Sequence, residues 1–296
     1  MNDTVGLAAR GAQELGAQEF SAQEFTMAPP RRDSAERSSL SDLLRLMHAE
    51  DGITPLTDSQ SVAQRRVRAG GTLFYEGGNA ESIEFVRLGT FKVFTRAEDG
   101  SEQVVGFADR AEMLGFDALG TGRHPTAAVA LEDSWVFSVR TPDLLEWCLE
   151  VPPLNRALHL ASSRQLARWS ELADVMAAVV AEIRLARFLV HLADHMQALG
   201  RSPRRFVLRM TRRDLASHLG VAHETVSRAF TALAHWGYLR VSVREVEILD
   251  IERLSAFARG TRGPLRDAAA PKRASRRPIG LEFGQHASPA RQALQA

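Results

Sequence analysis

Glu224, Thr225, Ser227 and Arg228 stand together in the run His223-Glu224-Thr225-Val226-Ser227-Arg228. These side chains suit the edge of a base pair. Arginine donates two parallel hydrogen bonds to guanine O6 and N7, and glutamate accepts from cytosine N4. Each good pair of this kind discriminates by roughly 1–3 kcal/mol. Residues 224 and 228 are four apart, so on a helix they share a face. The same spacing also suits a plain intrahelical salt bridge on a solvated surface.

Such side chains work only if a rigid element presents them, and the flanking text supplies one. Thr211 stands three residues before Asp214. That spacing resembles a capping box with Asp in place of Glu, and it opens a short helix through Leu215, Ala216 and Leu219. Gly220 ends it at a position suited to a left-handed turn. A second helix opens near Ala222 or His223. Val226, Ala229, Phe230, Leu233 and Ala234 recur at three and four along it, giving one buried stripe. Gly237 closes this helix. Tyr238–Val241 and Val246–Leu249 read as a two-stranded wing. Helix, tight turn, helix and hairpin make a winged helix-turn-helix over 180–258, whose second helix lies in a major groove with its N-terminal residues on base edges.

Charge agrees with a polyanion partner. Residues 180–296 carry 20 Lys+Arg against 10 Asp+Glu, whereas 1–179 carry 17 against 26. The overall balance of +1 conceals this asymmetry. A basic part behind an acidic one points to nucleic acid for the former. The 296 residues predict about two domains. No apolar run reaches the roughly 18–20 residues of a membrane span, and the N-terminus has no basic start or apolar core of a secretory signal. Cys148 is the single cysteine, so no intrachain disulfide forms. The expected location is cytoplasmic. No P-loop, H-E-x-x-H or G-x-S-x-G pattern is present, so the chain reads as a non-enzyme.

The acidic part reads as β-structure. Short apolar runs divided by turn residues fill 65–140: Thr72–Tyr75, Ile83–Leu88, Phe91–Thr95, Gln103–Phe107 and strands within Ala127–Val139. Regular short strands predict a sandwich or barrel-like roll. Asp99-Gly100 predicts a hairpin turn in which both residues tolerate positive φ. A short helix precedes the roll at Ser39–Ala49, and Pro152-Pro153 closes it. The roll therefore spans 39–151. A long helix follows over 152–179, with Leu158, Trp169, Leu172, Met176 and Val179 at helical spacings. Such a stripe is either an ordinary packed face or a dimer seam. Another helix spans about 181–199 and stops at Gly200. The ends, 1–38 and 259–296, read as disordered tails. The first carries a five-residue period (Ala12-Gln13-Glu14-Leu15 and its echoes) and the second is basic.

Three stretches together resemble the Crp/Fnr family of bacterial regulators, in particular its FNR-type branch. They are Gly89-Thr90-Phe91-Lys92 with Glu102-Gln103-Val104-Val105-Gly106-Phe107, then Leu114-Gly115-Phe116-Asp117-Ala118-Leu119-Gly120-Thr121-Gly122-Arg123-His124-Pro125, and then Met210-Thr211-Arg212 through Glu224-Thr225-Val226-Ser227-Arg228. The last holds the E-x-x-S-R signature of FNR-like recognition helices. The resemblance covers about 40–258. It implies an α+β chain: an N-terminal cyclic-nucleotide-binding-type β-roll, a long dimerisation helix and a C-terminal winged helix-turn-helix. It assigns base reading to Glu224, Ser227 and Arg228 on a palindrome of TTGAT and ATCAA half-sites. Arg212, His223 and Thr225 become DNA-backbone or auxiliary contacts. The seam of a homodimer falls on Leu158, Trp169, Leu172 and Met176. The turn at Asp99 and Gly100 falls where related activators touch RNA polymerase, although a bare turn explains those residues as well.

The family's two familiar sensors are not spelled in this chain. Oxygen-sensing FNR-type members hold an iron–sulfur cluster with four cysteines, since cluster ligation needs thiolates. This chain has Cys148 alone, and Phe137 stands at the internal ligand's place. Cyclic-nucleotide binders use a Glu and an Arg-Ser pair where this chain has Phe116 and Pro125-Thr126, with Arg123 nearby as the remaining cation. Neither metal nor cofactor is expected, and a small-molecule effector stays open. Cys148 is either a redox switch or, among Trp147, Leu149 and Val151, a packed small hydrophobe. His124 is either a haem ligand or a loop residue.

Overall fold

The computed structural model describes residues 37–260. The repeat near the N-terminus and the basic C-terminal stretch lie outside them. The described part divides into two units, with the boundary between Ser162 and Ser163.

The first unit begins with strand β1 (Arg37–Ser39), which pairs with β2 (Ser61–Val67) through Arg37↔Ala63. Arg37 and Ser38, read above as tail, are therefore part of a sheet. Helix α1 (Leu40–Leu46) follows, capped by Ser39 and Asp42 in a reciprocal capping box. A 3-10 turn (Glu50–Gly52) and helix α2 (Pro55–Ser59) lead to β2.

Then come β3 (Thr72–Phe74), β4 (Ser82–Leu88), β5 (Phe91–Arg96), β6 (Glu102–Ala108), β7 (Met113–Leu114), β8 (Ala127–Ala130) and β9 (Ser134–Arg140). They form a five-stranded sheet ordered β1-β2-β9-β4-β7 and a four-stranded sheet ordered β3-β8-β5-β6. Every pairing is antiparallel. Strand alternation divides β4 between two cores. Val86 joins Val67, Leu73, Phe91, Leu114 and Val136 in a cluster that draws on both sheets. Ile83 and Phe85 turn the other way, onto Leu40, Leu43, Leu44, Phe137 and Leu144. This is the β-roll expected from the spacing of short strands.

Two local features differ from expectation. A helix, α3 (Thr141–Glu150), stands between the last strand and Pro152. Pro142 and Asp143 occupy its first turn, where a missing N–H costs nothing and a carboxylate faces the positive end of the helix. Cys148 lies on this helix. At the β5–β6 hairpin Gly100 alone has positive φ, at 78°. The loop runs over three residues, closed by Ala97 N–H to Ser101 O and Gly100 N–H to Ala97 O, both 2.9 Å. Asp99 instead accepts from Ser101 N–H at 2.8 Å. A three-residue loop with a left-handed glycine replaces the two-residue turn.

Helix α4 (Pro152–Ala177) runs for 26 residues and contributes to both units. Its first turns bury Leu154, Ala157, Leu158 and Ala161 in the core with Trp147 and Phe137. Leu158 is 6% exposed there. The seam role read for Leu158 is thus corrected: its side chain is consumed inside its own chain. Further along, Trp169 is 48% and Leu166 69% exposed, and Leu172 is half-buried.

The second unit packs α5 (Ala181–Ala198), α6 (Arg212–Leu219), α7 (His223–His235) and α8 (Ile251–Ala258) with a three-stranded sheet. That sheet orders β10 (Arg205–Val207), β12 (Glu245–Ile248) and β11 (Leu239–Ser242). The wing has a third strand that its sequence did not announce. β10 is three residues long and pairs through Phe206↔Val246, a partner 40 positions away. No described helix is long and apolar enough to cross a membrane.

Candidate nucleic-acid interface

Local chemistry builds the frame of the second unit. Thr211 Oγ1 accepts from Asp214 N–H at 3.1 Å, and Asp214 Oδ2 accepts from Thr211 N–H at 2.9 Å. The box satisfies amides that the start of α6 leaves unpaired. Gly220, at φ 61°, caps the other end. A left-handed cap suits glycine because a β-carbon there is strained. Helix α7 then starts after Ala222, which has no side chain to cap it.

Val226, Ala229, Phe230 and Leu233 bury the inner stripe of α7. His223, Glu224, Ser227 and Arg228 are exposed, and Thr225 is half-buried. Glu224, Ser227 and Arg228 lie at i, i+3 and i+4, hence on one face. The intrahelical salt bridge does not form: Arg228 Nη2 donates to Thr225 Oγ1 at 3.2 Å, and Glu224 stands in solvent. Ser227 Oγ makes a long 3.4 Å bond to His223 O. A solvated carboxylate and a guanidinium with most of its donors unused remain free to meet an external partner.

Arg212 departs from the expected backbone contact. Its guanidinium lies 3.4 Å from the centroid of the buried Phe230 ring. Burial holds its pKa below the usual arginine range. It packs the start of α6 onto α7 instead of projecting freely, which sequence adjacency to Thr211 did not reveal. The neighbouring Arg213 is exposed at the same helix start and was overlooked. On the wing, Glu247 accepts from Arg205 Nη2 at 2.7 Å and Arg240 Nη1 at 2.5 Å. The bonds from Arg205 lead in holding this carboxyl below its ordinary range. Part of the basic charge is therefore spent within the wing.

Met176, read as a seam residue, is 39% exposed. Its terminal methyl also sits where a β-carbon on Gly220 would lie only 2.7 Å away. It is engaged with the helix-turn-helix of its own chain.

In the first unit Cys148 is half-buried and packs against the helix-side core. Burial pushes its thiol up, away from thiolate. That favours the packed hydrophobe over the redox switch. His124 is 5% exposed and stacks on Phe74 at 3.9 Å. Burial lowers its pKa, with Asp117 opposing. A single thiol cannot supply the ligands of a cluster. The cassette positions fare no better for a cyclic nucleotide: Phe116 packs against the core, Thr126 is buried, and Arg123 Nη1 is spent on Gly77 O at 2.9 Å.

A capped two-helix reader followed by a wing, with exposed Glu, Ser and Arg on the second helix, defines a DNA-binding transcription regulator. Residues 183–257 match the Crp-like helix-turn-helix domain, and residues 64–150 match the cyclic nucleotide-binding domain. The chain is 34% identical over 197 residues to the transcriptional activator protein Anr of Pseudomonas protegens, covering 67% of this chain and 81% of that one. It is also 34% identical over 199 residues to the fumarate and nitrate reduction regulatory protein of Salmonella typhimurium, covering 67% and 80%. The fold matches the structure of FixK2 from Bradyrhizobium japonicum with a TM-score of 0.59 at 24% identity, over 66% of this chain and 96% of that one. The chain belongs to the Crp/Fnr family of transcription regulators.

Proposed function

We propose that the chain acts in the cytoplasm as a homodimeric activator that reads TTGAT and ATCAA half-sites and carries no iron–sulfur cluster. The observation that carries this reading is the shared exposed face of Glu224, Ser227 and Arg228, with Glu224 and Arg228 unpaired to each other. Arg228 reads guanine, Glu224 accepts from cytosine N4, and Ser227 adds an adaptable donor or acceptor. His223, Thr225 and Arg213 flank them as phosphate contacts, which set register and carry no sequence. The uncapped start of α7 favours the same anions.

A twofold dimer matches a palindromic site. The exposed Trp169 and the half-buried Leu172 on α4 supply its seam. The name of the relative Anr supports the activator sign. The exposed loop at Asp99 and Gly100 is the RNA polymerase contact. The test is fluorescence anisotropy on a duplex carrying both half-sites and on a scrambled duplex. The reading requires tight, salt-sensitive binding to the first and weak binding to the second. Equal affinity for both would end it.

A second reading, in which a small effector gates the protein from within the β-roll, draws on two buried atoms. Glu84 Oε2 and His124 Nδ1 have no hydrogen-bond partner among the described residues. Buried polar atoms ordinarily have one. Calorimetry with cyclic AMP and cyclic GMP separates the readings, because the cyclic-nucleotide form of the second requires saturable heat.

A further inference from the structure

Two arginines one turn apart on α5 reach the last turn of α4 and the residue just after it. Arg184 Nε donates to Ala178 O at 2.8 Å, and its Nη1 donates to Leu219 O at 2.8 Å and Gly220 O at 3.3 Å. One planar fork thus spans the first residue of the joint after α4 and the turn of the reader. Arg187 is 7% exposed. Its Nη1 donates to Asp174 O and to Asp174 Oδ1, the latter at 3.0 Å. Its Nε donates to Ala258 O at 2.8 Å and its Nη2 to Gly260 O at 3.1 Å. The second fork therefore ties α4 to the end of α8. The Met176 methyl lies beside the Arg184 guanidinium against Gly220.

We propose that Arg184 and Arg187 are positioning residues that make the end of α4 and the DNA reader one body, so that the dimer seam on α4 dictates which half-site spacing is read. The proposal rests on the dimer and half-site assignments above. The physical reason is geometric. Only residues 178–180 join α4 to α5, and a bare three-residue joint leaves backbone torsions free to swing the reader. The guanidinium forks are bonded to helix-end carbonyls, which attract cations. Their rigid planes hold distance and angle together, which a flexible ammonium does not. Among the described residues neither side chain hydrogen-bonds Glu224, Ser227 or Arg228, and each acts through the orientation of the unit.

The experiment uses the full chain and a series of duplexes with TTGAT and ATCAA half-sites, their separation changed one base pair at a time, plus a duplex with a single half-site. Wild type has one sharp spacing optimum. Arg184→Ala flattens it: preference for the optimum over its neighbours falls about tenfold, as expected for loss of coupling between sites. Single-half-site affinity stays within about twofold, because the α7 face is untouched. Arg184→Lys flattens the profile too, since charge without the planar fork does not restore the angle. Asp174→Ala, a mild change at an exposed partner of Arg187, shifts the profile in the same direction by less. A merely structural role predicts another pattern, with all duplexes weakened in step and the profile unchanged, and that result overturns the proposal. If wild type itself has no spacing optimum, the dimer reading fails and takes the proposal with it.

Discussion

The reader and the β-roll treat polar groups in opposite ways. On α7, Glu224, Ser227 and Arg228 are exposed, and local rules place them: a capped helix, a left-handed glycine and an apolar stripe behind. In the roll, Glu84, Gln64 and His124 are buried, at 3%, 3% and 5% exposure. There Glu84 Oε1 accepts from both Ser82 Oγ at 2.8 Å and Ser138 Oγ at 2.9 Å. Ser138 reaches it only because β4 pairs with β9. Burial changes the chemistry of such a group. Burial pushes the Glu84 carboxyl up, against Arg65 and the two hydroxyls. The reader is built to meet a partner, and the roll already encloses its polar groups.

The comparison can be tested hardest at Leu158. Because it lies in the roll's helix-side core, Leu158→Ala costs about 2–5 kcal/mol of stability. Urea unfolding at fixed protein concentration measures it. Trp169→Ala, by contrast, leaves the unfolding of the roll almost unchanged and weakens self-association in sedimentation. If Leu158→Ala dissociates the dimer while the fold keeps its stability, Leu158 belongs to the seam and not to the core.

Next in size is Arg228→Ala. It removes about 1–3 kcal/mol of discrimination per half-site while weak nonspecific binding persists. Anisotropy on matched and mismatched duplexes gives the number. A variant that discriminates as well as wild type would remove Arg228 from the base readers.

Thr211→Ala deletes one half of the capping box and costs about 1 kcal/mol. Thermal unfolding of the full chain shows it as a lowered midpoint for the second unit, with the first unit's transition unchanged.

The roll's buried carboxyl gives a pH signature. Glu84 has a folded pKa above its ordinary 4.5, so folding takes up a proton between the two values. Its contribution to stability is fullest below 4.5 and is lost as pH rises toward the folded value. Glu84→Gln flattens that fall, seen in urea midpoints measured across pH. Parallel wild-type and variant profiles would mean that the carboxyl is ionised in the fold. His124 acts oppositely: its folded pKa is below 6.5, so its contribution is lost as pH falls through that range.

The smallest effect belongs to Cys148→Ser. A half-buried thiol whose pKa burial pushes up reacts slowly with alkylating agents. The variant keeps wild-type DNA affinity under both oxidising and reducing conditions. Oxidant-sensitive binding in wild type that the variant abolishes would restore the redox switch.

The amino-acid sequence by itself determined the reader. Thr211, Asp214, Gly220, Gly237 and the α7 stripe act on neighbours a few residues away, and such interactions are written in spacing. It also announced the roll through its short strands. Other features needed the tertiary structure. β10 is a strand only through a distant partner. Arg212 looked like a free cation until α7 brought Phe230 beneath it. Leu158 and Trp169 belong to one helical stripe, yet one is buried and the other exposed, because the roll covers only the first turns of α4. Nothing local marks Arg184 and Arg187, because their partners Leu219 and Ala258 lie 35 and 71 positions away and only folding brings them within reach. Periodicity states that a face is apolar or charged, and only the fold decides what meets it.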